Sequence, residues 1–90
     1  MEFEWDERNI DKNKAKHGVS WCEAEEIFAN VPLIFFHDAK HSHHEVRYAA
    51  FGKTDSGRLL LVVFTVREHR LRVISARDQN KKEREYYKNH

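Results

Sequence analysis

The stretch Thr65–Glu85, TVREHRLRVISARDQNKKERE, decides the fold. It starts inside an apolar run, reverses at Arg67-Glu68-His69, runs back as a second strand over 70–76 and continues into a helical tail. Its first thirteen residues carry four arginines and a histidine. Strict alternation along a strand places Arg70 and Arg72 on one face with Ile74 and Ala76. It places Leu71 and Val73 on the other face with Ser75 and Arg77. A strand with this much cation is either a solvated face or a place built for an anion.

Upstream, RLLLVVFTV (58–66) is apolar on both faces and reads as a central strand covered on both sides. TDSG (54–57) is a turn with Asp and Gly in turn-favoured places. VRYAAFGK (46–53) is a further strand, AKHSHHE (39–45) a polar loop and LIFFHD (33–38) a short strand. Strands 46–53, 58–66 and 70–76, joined by short turns, pair as an antiparallel meander. Toward the N-terminus, SWCEAEEIFAN (20–30) is the clearest helix. Ser20 and Glu23 form a capping box, and Trp21, Ala24, Ile27 and Phe28 follow the helical period; Pro32 blocks continuation. Cys22 is expected to pack on this helix. A first helix spans about 7–16, capped by Asp6, stopped by Gly18, with Ile10 and Ala15 as its thin apolar content. MEFEW is a short opening strand with Phe3 and Trp5 inward. The element order is β-α-α-β-β-β-β-α, an α+β arrangement within one domain, residues 1–90.

The chain has 90 residues, a net charge of +1 and one cysteine. That excludes an intramolecular disulfide and fits a reducing compartment. The opening MEFEWDE lacks a basic n-region and an apolar h-region, so the expected location is the cytoplasm. Leu59–Phe64 is too short to cross a bilayer as a helix. The charge is uneven. Residues 67–84 hold seven lysines and arginines against three acids, leaving the rest net acidic. A local basic segment suggests a specific anionic partner. Two readings stand. In one, Glu68, Asp78 and Glu83 neutralise the arginines as surface pairs of about 0–1 kcal/mol each. In the other, guanidinium forks bind phosphate oxygens two at a time.

The segments WDERNIDKNKAKHGVSW, HSHHEVRY, FGKT with SGRLLLVVFT, and RLRVISARD with KEREYY occur in this order along nearly the whole chain. In this they resemble the BrnT family of bacterial toxins. The strongest pieces are Trp5-Asp6, Lys16-His17-Gly18, His41-Ser42, Glu45-x-Arg47-Tyr48, Gly52, Phe64-Thr65 and Ile74-Ser75-Ala76-Arg77. Two positions depart from the family: Val66 stands where some members carry glutamate, and Asn9 where many carry lysine. The resemblance implies a RelE-like fold, an antiparallel sheet of four to five strands with two N-terminal helices and one C-terminal helix. It implies a ribonuclease toxin of a type II toxin–antitoxin pair, neutralised by a BrnA-like ribbon-helix-helix antitoxin. Operator DNA would be met only through that complex.

Metal-free RNA cleavage uses the substrate's 2′-hydroxyl as nucleophile and needs a base, cations for the phosphoryl charge, and an acid for the leaving oxygen. Arg67, Arg72 and Arg77 are the candidate cations, and the reading requires them to share one hollow. His69 is the candidate acid or base, because imidazole changes protonation near neutral pH; Glu68 is the alternative base. RelE-like toxins often use basic and tyrosine side chains, which adds Tyr86 and Lys14. His17, Arg70, Lys81 and Lys82 complete the RNA-binding set with Lys14. Each has a plain structural alternative: His69 as a turn residue, Tyr86 as helix packing, Lys14 as a solvated lysine, His17 as a helix C-cap. His37, His41, His43 and His44 raise a zinc reading, but no cysteine or helix-borne pair completes a ligand set. No cofactor or metal is expected. A binding module without catalysis, using the same basic face, is the alternative function.

Overall fold

The computed structural model describes residues 2–39 and 45–90. Its elements are β1 (Glu2–Glu4), α1 (Glu7–His17), α2 (Trp21–Glu26) with a 3-10 turn (Ile27–Ala29), β2 (Ile34–His37), β3 (Tyr48–Lys53), β4 (Leu59–Arg67), β5 (Arg70–Asp78) and α3 (Lys81–Lys88). The sheet order is β1-β5-β4-β3-β2. The meander β3-β4-β5 is antiparallel, as is β2 on β3, but β1 lies parallel to β5. That pairing departs from a wholly antiparallel sheet. A parallel neighbour needs a long connection, and everything from α1 to β4 supplies it.

One face of the sheet carries the main core: Leu60, Val62, Phe64, Leu71, Val73, Ala76 and Ala50 pack on Val19, Ala24 and Ile27, with Phe3 and Trp5 against them. The opposite face holds Ala49, Phe51 and Leu61 and is covered at one end by α3 through Tyr87. Burial raises the Tyr87 phenol above its ordinary pKa, and its hydroxyl donates to the Pro32 carbonyl. Gly52 lets the 3-10 turn approach β3. A Cβ there would meet the Ile27 Cβ at 2.7 Å.

Caps form where the sequence places them. Asp6 accepts from the Arg8 N–H at 2.9 Å, Gly18 closes α1 at φ 65°, and Ser20 and Glu23 complete a capping box. Three side-chain expectations are corrected. Ala15 is exposed, and the buried side of α1 is lined instead by Asn13. Trp21 is 47% exposed, and Cys22 is exposed rather than packed. The reason is that α2 is only six residues long before it tightens to 3-10 geometry, so Ala24, Ile27 and Phe28 make the contacts with the core.

The bulge in β5 has the largest consequence. Opposite β5, Val63 faces Ser75 and Phe64 faces Val73, so Ile74 is an extra residue. An extra residue reverses the side to which later side chains point. Ala76 therefore joins Leu71 and Val73 in the core, while Ser75 and Arg77 join Arg70 and Arg72 on the opposite face. Strict alternation assigned these residues the other way round. Past the Glu4–Arg72 pair, no strand among the described residues lies on the outer side of β5. Two side chains one turn apart on α1 meet its backbone there: Asn13 accepts from the Ala76 N–H at 3.3 Å, and Asn9 donates to the Val73 carbonyl at 3.4 Å. Asn9, a lost cation in the sequence reading, is a backbone partner in the fold.

Candidate functional site

The open face carries its cations in rows, because cross-strand partners lie side by side. Arg67 pairs with Arg70 at the β4–β5 turn. Thr65 pairs with Arg72 in the next row, and Leu61 pairs with Arg77 at the far end beside α3. Arg47 lies one residue before Tyr48, which pairs with Phe64, so it falls in the row of Thr65. The partners of Arg70 and Arg77, namely Arg67 and Leu61, are six residues apart on β4, so at about 3.3 Å per residue Arg70 and Arg77 stand roughly 20 Å apart. The arginines share one face but not one hollow, which corrects the expectation that Arg67, Arg72 and Arg77 converge.

A central hollow of about 480 Å³ lies on this face. Its walls are Phe36 and His37 from β2 with Asp38 just after it, Arg47 just before β3 with Ala49 and Phe51 from that strand, Leu61 and Val63 from β4, Ile74, Ser75 and Arg77 from β5, and Glu83 from α3. Arg77 enters it because of the bulge at Ile74. Its guanidinium donates to both Glu83 carboxylate oxygens, at 2.7 and 2.9 Å, and to the Asp78 carbonyl at 3.0 Å. Glu83 also accepts from the Asn80 N–H at 2.8 Å, closing the capping box of α3. The hydrogen bonds with Arg77 hold the Glu83 carboxyl below its ordinary pKa and raise that of Arg77. A bidentate carboxylate thus occupies the fork that a phosphate would take.

A second hollow of about 380 Å³ adjoins the first, sharing Phe36, Phe51 and Glu83 and adding Asn80, Lys82 and Tyr86. A third, near the turn end, is lined by Glu45, Val46, Tyr48, Thr65, Val66 and Arg67.

Arg77, Lys82 and Tyr86, of the expected site residues, gather around the first two hollows. Arg67 lines the third hollow and pairs with Glu45 at 3.3 Å. Arg70 pairs with Glu2, and Arg72 with Asp6. Glu68 and His69 form the two-residue turn, both with positive φ, 51° and 65°. Lys14 and His17 lie on α1, which packs along β5 with Asn9 and Asn13 on its backbone; Lys81 is exposed at the start of α3. Tyr87, not Tyr86, packs the last helix on the sheet, and Tyr86 is 48% exposed. His41, His43 and His44 lie outside the described residues, and among the described residues no group of metal-binding side chains gathers.

Of the lining residues, His37 enters the sequence reading only as a zinc candidate and Glu83 only as a neutralising acid, while Arg47, Asp38, Ser75 and Phe36 carry no site role there. Arg47 was quoted within Glu45-x-Arg47-Tyr48, which was the available signal. Arg58 is a further cation the sequence reading passed over. It donates to both Asp78 oxygens at 2.7 and 3.0 Å, to Glu23 at 3.0 Å, and to the carbonyls of Gly18 and His17. Its hydrogen bonds lower the Asp78 pKa. It ties the end of α1, the start of α2 and the end of β5 together.

Residues 5–83 match the family described as "Ribonuclease toxin, BrnT, of type II toxin-antitoxin system". The crystal structure of the Brucella abortus ribonuclease toxin BrnT superposes with a TM-score of 0.67 at 27% identity, covering 90% of this chain and 99% of that one. No curated protein registers as a match. No helix among the described residues is long and apolar enough to cross a membrane. The motif order, the five-stranded sheet and these matches agree: the chain belongs to the BrnT family of ribonuclease toxins of type II toxin–antitoxin systems.

Proposed function

We propose that the protein is a metal-independent endoribonuclease that blocks translation by cutting RNA at the central hollow. The observation that carries this reading is the hollow's composition: two arginines, a histidine, a serine and two carboxylates on an open sheet face, in a ribonuclease toxin family. In the proposed reaction the 2′-hydroxyl of RNA loses its proton and attacks the adjacent phosphorus. The 5′ oxygen leaves with a proton. Arg77 and Arg47 meet the charge that builds on the phosphoryl oxygens. A preorganised donor of this kind contributes about 2.7–4 kcal/mol to the transition state where it has been measured in other enzymes. His37 stands at the rim as proton carrier, in place of His69 and Glu68 at the distant turn. RNA phosphate takes the Arg77 fork from Glu83, since both present two oxygens to it.

The antitoxin is proposed to be a BrnA-like ribbon-helix-helix protein that covers this face in the cytoplasm. Cations that attract RNA equally attract acidic antitoxin side chains. Operator DNA is then met only through the complex. The test is induced expression with and without that partner, scoring growth and RNA integrity, together with cleavage by purified protein in EDTA. Cleavage that survives chelation and is lost in Arg77→Ala supports the reading. RNA binding without cleavage points to the binding module instead, and intact RNA at high expression refutes the toxin activity of this chain.

A further inference from the structure

The second hollow differs from the first in kind. Three of its six lining residues are aromatic, Phe36, Phe51 and Tyr86, and Asn80, Lys82 and Glu83 complete it. Phe51 is buried at its base. Phe36 meets Phe51 edge to face, centroids 5.0 Å apart at 80°, and Tyr86 does so at 6.0 Å and 66°. Neither ring lies flat on Phe51, and Tyr86 also meets the His90 ring, centroids 4.5 Å apart at 46°. Both are partly open to solvent, Phe36 at 40% and Tyr86 at 48%. An aromatic pair left open beside a buried third ring contributes less to folding than one closed over.

Cations flank this apolar space. Lys82 lines it, and Arg77 lies in the adjoining hollow, bonded to the Glu83 that both hollows share. An apolar slot bordered by positive charge fits a flat heterocycle tethered to phosphates. Every base presents a π-face, and stacking on aromatic side chains tolerates any sequence. In an RNA duplex the bases stack on one another, so a base that enters a protein slot must be unpaired.

We infer that the hollow formed by Phe36, Phe51 and Tyr86 is a nucleobase-stacking site that selects single-stranded RNA and seats one unpaired base next to the phosphate held at Arg77. The inference rests on the ribonuclease reading and deepens it. It also changes the role of Tyr86, from candidate catalytic side chain to a ring that holds substrate. A stacking role survives loss of the hydroxyl; an acid role does not.

The experiment measures binding and cleavage of a short single-stranded RNA containing 2-aminopurine, against a duplex of the same sequence, at several salt concentrations. Tyr86→Ala removes an exposed side chain and leaves the buried Tyr87 in place, and thermal melts confirm that it folds. It is expected to weaken single-strand binding roughly five- to hundred-fold, as loss of a stacking aromatic does elsewhere. The salt slope stays unchanged, because no phosphate contact is lost, whereas Lys82→Ala lowers it. Tyr86→Phe retains binding, cleavage and 2-aminopurine quenching. Wild-type single-strand affinity and cleavage in Tyr86→Ala overturn the stacking site while leaving the ribonuclease reading intact. A Tyr86→Ala protein that loses the antitoxin but not RNA assigns the hollow to the antitoxin and also overturns it. A wild-type chain that neither binds nor cuts RNA refutes the ribonuclease reading, and the stacking site with it.

Discussion

Glu83→Gln separates two roles of one side chain. Glutamine at the third position of α3 keeps an oxygen for the Asn80 N–H, so the capping box survives. What disappears is the charge opposite Arg77. The pair is half-buried, with side chains 35% and 19% exposed, and is joined by two short bonds. An exposed ion pair contributes about 0–1 kcal/mol, and a hydrogen bond to a charged group about 1.5–3 kcal/mol. Glutamine offers one oxygen, and its amide faces a donor. The expected loss is about 1–1.5 kcal/mol, or about 5–10 °C in melting temperature for a chain of this size. The sign of the pH dependence is set. The Glu83 pKa is lowered in the fold, chiefly by its hydrogen bond from Arg77. Its stabilisation is therefore present above the unfolded pKa and is lost as pH falls through the folded one. Urea unfolding at pH 7 and in acid reads this directly, and the difference between wild type and variant shrinks on acidification. The same change leaves Arg77 without a competing anion. RNA affinity in EDTA rises about fivefold, the equivalent of ~1 kcal/mol, with a steeper salt slope. A variant with wild-type unfolding midpoint and wild-type RNA affinity refutes the view that this pair both braces α3 and masks the fork.

Three further changes probe the frame. Gly52→Ala brings a Cβ to 2.7 Å from the Ile27 Cβ, where neither atom is on a flexible tip. Destabilisation of about 3 kcal/mol is expected in chemical denaturation. Asn13→Ala strips the partner from the buried Ala76 N–H and should cost about 1–3 kcal/mol, whereas the solvent-exposed Lys14→Ala changes the midpoint little. Replacing Glu68-His69 with Asn-Gly suits a turn with positive φ at both positions and should stabilise by about 1–2 kcal/mol; unchanged RNA cleavage in that variant excludes His69 and Glu68 from the chemistry, and its loss returns them to the site.

Much of the site lay outside what periodicity reveals. Tyr86 and Tyr87 are adjacent and chemically alike. Only the docking of α3 on Ala49, Phe51 and Leu61 buries one and leaves the other open. Glu83 looked like one of three neutralising surface acids. It is the partner of Arg77 because α3 begins three residues after β5 ends and turns back across the open face.

Local chemistry was enough for the order of elements. Alternating apolar residues, the Ser20–Glu23 box, the stop at Gly18 and the Thr54–Gly57 turn each act within a few residues of chain, so the sequence alone specified them. The face on which Arg77 stands was decided elsewhere. It depends on one unpaired residue, Ile74, and a bulge exists only relative to the strand beside it. Its outer backbone is met by Asn9 and Asn13, more than sixty positions away in the chain. Contacts made over such separation are set by the register of the assembled sheet, and that register gathers the cations on one side.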